Sequence, residues 1–338
     1  MTARPASGAR LPIGLAAYSF GYLGGFAGAG TPRACRDPYD AYSLMDLAVA
    51  HDLGGVEFPP LKYLSGMSRQ ELEKARDYAA LHDLFIVLDG GIVDVAELQT
   101  LLPAAQVIGA RTVRATVSSI LCGDRRAVRE TWPGYLGEIA ERLRQVRGLA
   151  EQTGVAIALE NHQDMTSGEL VALCEELGSP KIGVNLDASN PLAVGEDPIE
   201  FARRIVPYLK NVHLKDYYLH STAQGFRLVR SPVGAGVLDV PVLLDLCAAD
   251  APEATISIEL GALEARHIRL LEDDFWPGYQ PRGVEEILPV LRLREAKARP
   301  KGEYWRTPWE RGEQGETLAS YEMSQFEESV AYLHGLGR

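Results

Sequence analysis

Eight short apolar segments recur along the chain, and each is followed by a stretch whose spacing is typical of an amphipathic helix. The segments are rich in aliphatic residues and show little polar alternation, which predicts strands buried on both faces, as in a parallel sheet. The predicted strands span residues 13–18, 55–58, 84–88, 112–116, 155–160, 182–186, 211–214 and 256–259. Strand–helix units repeated in this way predict an α/β fold, a closed (β/α)8 TIM barrel.

The alternative to a closed barrel is an open, doubly wound sheet, which would need a phosphate-binding glycine turn after its first strand. Residues 21–30 read GYLGGFAGAG, but the next predicted helix begins only near Pro38. We therefore interpret this segment as part of a long loop between the first predicted strand and the first predicted helix, over the barrel mouth. Its aromatic side chains are expected either to line a substrate site or to anchor the loop, and we assign Tyr18 and Phe20 to substrate binding.

The length of 338 residues suits one large barrel with an appendage better than two ordinary domains. We assign residues 1–298 to the barrel, with a loose arm at residues 1–10 and an extra hairpin within residues 215–238. Residues 299–338 form a C-terminal extension with a predicted helix at residues 318–333. This extension is expected to pack back on the barrel or to contact a partner.

The formal net charge of −12 repels polyanions, so nucleic acid is not an expected partner. No apolar run reaches the length of a membrane span, and the N-terminal residues lack the apolar centre of a signal peptide. The four cysteines form no C-x-x-C pair, which is typical of a reducing compartment. These features predict a cytoplasmic enzyme that acts on a small molecule and has no membrane partner.

Four of the predicted strands end in residues that can bind a metal ion: Glu160, Asp187, His213 and Glu259. Because the carboxyl ends of parallel barrel strands meet at one face, these side chains are expected to converge. A carboxylate at the end of an aliphatic strand is costly to bury unless a cation or a hydrogen-bonding partner compensates its charge. Three carboxylates and one imidazole suit Mn²⁺, with Mg²⁺, Co²⁺ or Zn²⁺ as alternatives.

Polar residues close to these strand ends are candidates for substrate contact. His162 follows Glu160 by two residues and is interpreted either as a general acid or base or as a loop residue behind the site. Asn190 is predicted to donate a hydrogen bond to substrate, and Lys215 to neutralise an oxyanion. A lone histidine on an apolar strand is more often a core residue, but His213 shares its edge with three carboxylates.

The motifs LENH, NLDASNP, VHLKD, SIELG and VGAGVLD, taken in order, resemble the xylose-isomerase-like superfamily of sugar isomerases and epimerases. The resemblance covers residues 12–296 and implies a (β/α)8 barrel in which the four strand-end residues hold a catalytic metal. In the ketose epimerases of that superfamily, the glutamates matching Glu160 and Glu259 also exchange protons with substrate carbon. Many relatives have histidine where this chain has Asn190, and this departure counts against a multinuclear, endonuclease-like site.

The long first loop, the LENHQD sequence and the aromatic C-terminal extension also resemble the large subunit of bacterial C-glycoside deglycosidases. That resemblance implies a 3-oxo-glucoside substrate and a small β-rich partner subunit. Both resemblances imply removal of a proton α to a sugar carbonyl and a metal-stabilised enediolate, followed by reprotonation or by elimination, with His162 as proton donor in the elimination. Three hypotheses remain open: an isomerase or epimerase that forms homo-oligomers, a deglycosidase subunit in a hetero-oligomer, and a non-catalytic sugar-binding barrel.

Overall fold

The computed structural model describes residues 11–337, so the arm predicted for residues 1–10 lies outside the described residues. Eight parallel strands close into a barrel in chain order, which confirms the predicted TIM barrel. The barrel strands are β1 (Ile13–Ala16), β2 (Gly55–Phe58), β3 (Phe85–Ile92), β4 (Thr112–Thr116), β5 (Ala156–Glu160), β6 (Ile182–Asp187), β7 (Leu209–Leu214) and β10 (Thr255–Ile258). Aliphatic side chains on both faces of these strands are buried, so the barrel wall forms the centre of the hydrophobic core.

Helices surround the barrel, and side-chain caps define several of their N-termini. They are α1 (Ala41–Ala50), α2 (Pro60–Tyr63), α3 (Arg69–Leu81), α4 (Val95–Ile108), α5 (Trp132–Thr153), α6 (Ser167–Leu177), α7 (Pro198–Ile205), α8 (Val240–Asp250), α9 (Val284–Lys297) and α10 (Glu316–Gly335). The first helix begins after the predicted start near Pro38, because Asp40 and Ser43 form a reciprocal capping box. No helix within residues 11–337 combines the length and the apolar content needed to cross a membrane.

A small antiparallel sheet lies beside the barrel mouth. It consists of the hairpin β8 (Asp216–Thr222) and β9 (Gly225–Ser231), extended by β11 (Arg266–Ile268) next to β9. The hairpin confirms the one predicted within residues 215–238. One face of this sheet is buried in a second apolar cluster that includes Tyr217 and Phe226. The sheet therefore covers part of the mouth with a fixed wall.

The C-terminal helix α10 packs against the loop that follows β1. Phe326 of α10 makes an edge-to-face contact with Phe20, with ring centroids 5.4 Å apart. The buried carboxylate of Glu322 accepts hydrogen bonds from the backbone N–H groups of Tyr22 and Leu23, at 2.8 and 2.9 Å. The extension thus packs on the barrel, which was one of the two expectations for it. The domain boundary at residue 298 stays a prediction.

Replacing Glu322 by alanine is expected to lower the free energy of unfolding, because two buried N–H groups lose their acceptor. Each buried donor left without a partner costs about 1–3 kcal/mol. Urea denaturation of the wild type and of Glu322→Ala measures the difference. Glu327→Ala, on the exposed face of the same helix, is the matched control and should change stability by less than about 0.5 kcal/mol. Equal stability of the two variants would contradict the proposed anchoring.

Candidate active site and metal centre

The structure brings the four predicted strand-end residues together at the carboxyl end of the barrel. Glu160 and Asp187 are the last residues of β5 and β6, His213 lies one residue before the end of β7, and Glu259 follows β10. In the ladders, Asp187 pairs with His213 and His213 pairs with Ser257, which fixes their common level. All four side chains are at least 96% buried in the chain.

The donor atoms of this group surround a small common volume. Nδ1 of His213 lies 4.0 Å from Oε1 of Glu160 and 4.0 Å from Oε2 of Glu259. Glu160, Asp187 and His213 each offer an atom within 4.8 Å of the others. Among the described residues, Oδ1 of Asp187 and Nδ1 of His213 are buried without a hydrogen-bond partner. Buried atoms of this kind need a partner, and oxygen and imidazole nitrogen donors fit a divalent cation.

Glu57 orients the imidazole of His213. Oε1 of this β2 residue lies 2.6 Å from Nε2 of His213, so Nε2–H donates to Glu57 and Nδ1 faces the other carboxylates. Burial acts to raise the pKa of Glu57, but His213, together with Asp89 and Arg114, lowers this pKa to about 2. Asp89 and Arg114 lie beside Glu57, and Arg114 Nε is 3.1 Å from both Asp89 and Glu160.

Lys215 and Asn190 hold Asp187 in place. Nζ of Lys215 lies 2.6 Å from Oδ2 of Asp187 and also contacts Glu259. The Nδ2 group of Asn190 donates to Oδ2 of Asp187 at 2.5 Å and to the carbonyl oxygen of Asn161 at 3.2 Å. Burial raises the pKa of Asp187 to about 7, while Lys215 acts to lower it. Asn190 also lines the cavity at the barrel mouth, and in this structure both of its amide hydrogens serve these oxygens, so its donation to a substrate stays a prediction.

A cavity of about 510 Å³ opens above the cluster, and Glu160, Glu259 and Lys215 line it. His162 also lines the cavity, and burial lowers the pKa of its imidazole. Tyr18 lines one wall and stacks on Phe26, with ring centroids 4.4 Å apart. The volume lies within the range of small-molecule sites.

Phe20 lies elsewhere, contrary to its assignment as a substrate-binding residue. Its ring is fully buried and contacts Tyr39 and Phe326 at centroid distances of 5.3 and 5.4 Å. Alternation along the chain does not hold here, because β1 ends at Ala16 and residues 17–19 form a 3₁₀ turn. The side chain is thereby directed towards α10 and away from the cavity, so we leave Phe20 out of the site.

Sequence reasoning missed several residues of the site. Glu57 and Asp89 are acidic residues inside the apolar segments GVEF and IVLDGG, and Arg114 lies inside TVRAT. The argument used for Glu160, that a charge on a buried strand needs compensation, applies equally to these three residues. Gln163 and Tyr217 carry no such signal. The structure shows that Nε2 of Gln163 and the hydroxyl of Tyr217 each donate to Oδ1 of Asn190, at 3.1 and 3.2 Å.

The acidic cluster lies beneath a polar cavity at the carboxyl ends of the strands, which is where (β/α)8 enzymes have their active sites. The model of the xylose isomerase-like TIM barrel family matches residues 45–272. The chain belongs to this family, which confirms the resemblance found in its motifs.

Relatives share about a quarter of their residues with this chain. An uncharacterized protein of Escherichia coli, YihM, is 26% identical over 77% of this chain and 80% of its own length. The 3-oxo-isoapionate decarboxylase of Pectobacterium atrosepticum is 25% identical over 69% of this chain and 79% of its own length. The solved structure of the 3-keto-D-glucoside 4-epimerase YcjR from E. coli superposes with a TM-score of 0.55 at 13% identity and covers 85% of this chain and 100% of that chain.

Proposed function

We propose that this chain is a divalent-metal-dependent carbohydrate enzyme of the isomerase or epimerase type, which removes a proton from the carbon next to a sugar carbonyl. The observation that supports this most strongly is the convergence of four potential metal ligands below the cavity: Glu160, Asp187, His213 and Glu259. Two of their buried atoms, Oδ1 of Asp187 and Nδ1 of His213, have no hydrogen-bond partner among the described residues. A non-catalytic sugar-binding barrel would have no need for such a costly group of buried charges.

These four side chains would hold the ion, with Glu57 orienting His213. Their mixed oxygen and nitrogen donors favour Mn²⁺, with Mg²⁺, Co²⁺ and Zn²⁺ as alternatives. When bound, a divalent ion supplies a Lewis acid that polarises a carbonyl oxygen and favours loss of the adjacent proton. The site buries more carboxyl groups than the two cationic side chains Arg114 and Lys215 can neutralise, and a divalent ion would balance the remaining negative charge.

Glu160 and Glu259 are the proposed bases. Burial acts to raise the pKa of both carboxyl groups, but Arg114 and the neighbouring basic groups lower the pKa of Glu160 to about 2, and Lys215 and His213 lower that of Glu259. Both are therefore ionised at neutral pH and can accept a proton. They reach the cavity from β5 and from the end of β10, with β6 and β7 between them in the barrel. A proton taken by one and returned by the other would invert the carbon, which is epimerisation.

Other residues of the cavity would handle the charge and the hydroxyl protons. Lys215 is cationic and lies at the cavity floor, so it would stabilise negative charge that develops on the sugar oxygen. His162 is neutral at neutral pH because burial lowers its pKa, and it would pass a proton to or from a substrate oxygen. Tyr18 offers an aromatic wall against which a sugar ring can lie.

The names of two similar proteins point to a ketone on the sugar. A relative is a decarboxylase of a 3-oxo compound, and a structural neighbour is an epimerase of a 3-keto-D-glucoside. A ketone acidifies the hydrogen on the adjacent carbon, which is the proton that Glu160 or Glu259 would remove. We therefore propose a keto sugar as the substrate class.

Isotope exchange tests the proposal. The protein is incubated with Mn²⁺ in D₂O with a panel of ketoses, 3-keto-glycosides, keto sugar acids and keto sugar phosphates, and deuterium at the carbon next to the carbonyl is followed by NMR. We expect exchange with at least one substrate and none with the protein omitted. Absence of exchange across the whole panel, with the ion shown to be bound, would contradict the proposed proton removal.

A second candidate is a carbon–carbon lyase, because a relative named as a decarboxylase breaks such a bond. In this form the chain would be the large subunit of a C-glycoside deglycosidase, with His162 protonating the released aglycone carbon. This candidate predicts that cleavage of a 3-oxo-C-glucoside requires a small protein encoded beside this gene. Full activity of the purified chain alone would count against the subunit assignment.

Replacing Glu57 by glutamine is expected to weaken the affinity for Mn²⁺ by about 10- to 100-fold, the usual effect of removing a carboxylate that orients a ligating histidine. The amide keeps the size of the side chain but no longer fixes the tautomer of His213. Competition with a metal-binding dye measures the affinity, and Glu73→Gln is the control, because Glu73 is half-buried on α3 and pairs only with Arg69 on the outside of the barrel. Unchanged affinity in Glu57→Gln would show that His213 needs no such partner.

A further inference from the structure

The small sheet beside the cavity carries two positive charges that no described carboxylate contacts directly, although the buried Glu322 of α10 interacts with Arg230 at longer range. Arg230 of β9 and Arg266 of β11 both line the cavity. Within residues 11–337, no carboxylate oxygen lies within 4.0 Å of either guanidinium group, whereas the other two basic side chains of the cavity, Arg114 and Lys215, each contact two carboxylates. This contrast is unusual in a chain with a net charge of −12.

The strand register places the two arginines side by side. Arg230 pairs with Tyr217, and Arg266 pairs with Leu228, which lies two residues before Arg230 on the same strand. All four side chains therefore lie on one face of the sheet. Diagonal neighbours of this kind have their backbones roughly 7–8 Å apart, within the combined reach of two arginine side chains. Two like charges at this separation repel each other, and an anion bound between them would relieve the repulsion.

Both arginines also have unused hydrogen-bond donors. Arg230 is fixed and buried, with Nε donating to Oε1 of Gln325 in α10 at 2.6 Å and Nη2 donating to the carbonyl oxygen of Ser19 at 3.2 Å. Its Nη1 and the Nε of Arg266 are buried and have no partner among the described residues. Arg266 is half-buried, so it can contact a ligand directly, while Arg230 supplies a second fixed charge behind it.

We propose that Arg266, supported by Arg230, binds an anionic oxygen group on the substrate, so that the enzyme acts on an acidic sugar rather than a neutral one. The group is a carboxylate or a phosphate ester, which share the geometry that a guanidinium group recognises. This inference rests on the proposed function, since the same sugar must present its carbonyl to the cluster of Glu160 and Glu259. The cavity of about 510 Å³ has room for both ends of such a molecule.

Calorimetric titration of the metal-depleted full-length protein tests the inference. The ligands form matched pairs: D-gluconate with D-glucitol, D-glucuronate with D-glucose, and D-glucose 6-phosphate with D-glucose. We expect at least one acidic ligand to bind about tenfold or more tightly than its neutral partner, as a charge-assisted hydrogen bond allows. Arg266→Gln should lose this preference. Arg227→Gln should keep it, because Arg227 lies on the opposite face of β9 and packs over Trp305, 4.4 Å from the ring centroid.

The outcomes separate the alternatives. A preference confined to gluconate or glucuronate identifies a carboxylate, and one confined to the phosphate identifies a phosphate ester. Equal binding within every pair, or a preference that survives in Arg266→Gln, overturns the inference. Thermal unfolding checks that Arg266→Gln is folded. If it is not, Arg266→Met, which keeps the aliphatic part of the side chain, is used in its place. Binding to metal-depleted protein requires neither the ion nor turnover. A negative result here therefore overturns the acidic substrate but not the proposed proton removal, which the isotope-exchange experiment tests separately.

Discussion

Replacing Glu259 by glutamine is expected to reduce turnover by at least about 10²–10⁴-fold, the usual contribution of a general base, without unfolding the protein. The glutamine keeps the shape of the side chain and its hydrogen bond from the N–H of Gly261. It removes the negative charge that contacts Lys215 and lies 4.0 Å from Nδ1 of His213. The measurement is the rate of deuterium incorporation into a keto sugar under saturating Mn²⁺.

Glu253→Gln is the matched control for this substitution. Glu253 precedes the same strand at the opposite end of the barrel and is 90% exposed, with Arg111 3.7 Å away. It should retain wild-type turnover. If Glu259→Gln exchanges deuterium at the wild-type rate while its circular dichroism spectrum is unchanged, the proposed base is wrong. A large loss with the fold retained would exclude the non-catalytic sugar-binding barrel.

Removing divalent ions with a chelator is expected to bring turnover to background and to lower the midpoint of thermal unfolding. An ion present at about 100 times its Kd stabilises the folded state by about 2.7 kcal/mol. At about 2.1 cal/mol/K of unfolding entropy per residue, each kcal/mol corresponds to roughly 1–2 °C for a chain of this size, so the midpoint should fall by about 4 °C. Added Mn²⁺ should restore both properties. Scanning fluorimetry and the exchange assay measure the two effects on one sample.

Asp187→Asn provides the comparison for the chelation experiment. The variant keeps the side-chain volume next to Lys215 and Asn190 but removes the charge of a proposed ligand. Its unfolding midpoint should therefore not respond to the chelator. A wild-type protein whose turnover and midpoint are unaffected by complete removal of divalent ions would contradict the proposed metal dependence.

The barrel was predictable because its signal is repeated eight times, and buried parallel strands have few alternatives once helices separate them. The four strand-end residues were predictable for a related reason. A charged residue at the end of an aliphatic run is costly to bury, and parallel strands bring such residues to one face. Glu57 and Asp89 carry the same signal within their strands, so they too were within reach of the sequence.

Other features depend on contacts between distant segments, which no local pattern encodes. The burial of Phe20 depends on Phe326 of α10, about three hundred residues away in sequence. The hydrogen bonds of the Asn190 amide group depend on the backbone oxygen of Asn161 and on the carboxylate of Asp187. The diagonal placement of Arg230 beside Arg266 requires the register of a three-stranded sheet in which β11 has only three residues.

The most direct test of the metal centre is elemental analysis of the protein after dialysis against Mn²⁺ and removal of free ion. We predict about one divalent ion per chain in the wild type, as a single four-ligand site requires, and close to none in Asp187→Asn. Asp197→Asn, at the N-cap of α7, should bind as the wild type does. A wild type without ion, an Asp187→Asn variant that keeps it, or about three ions per chain would contradict the single-ion site.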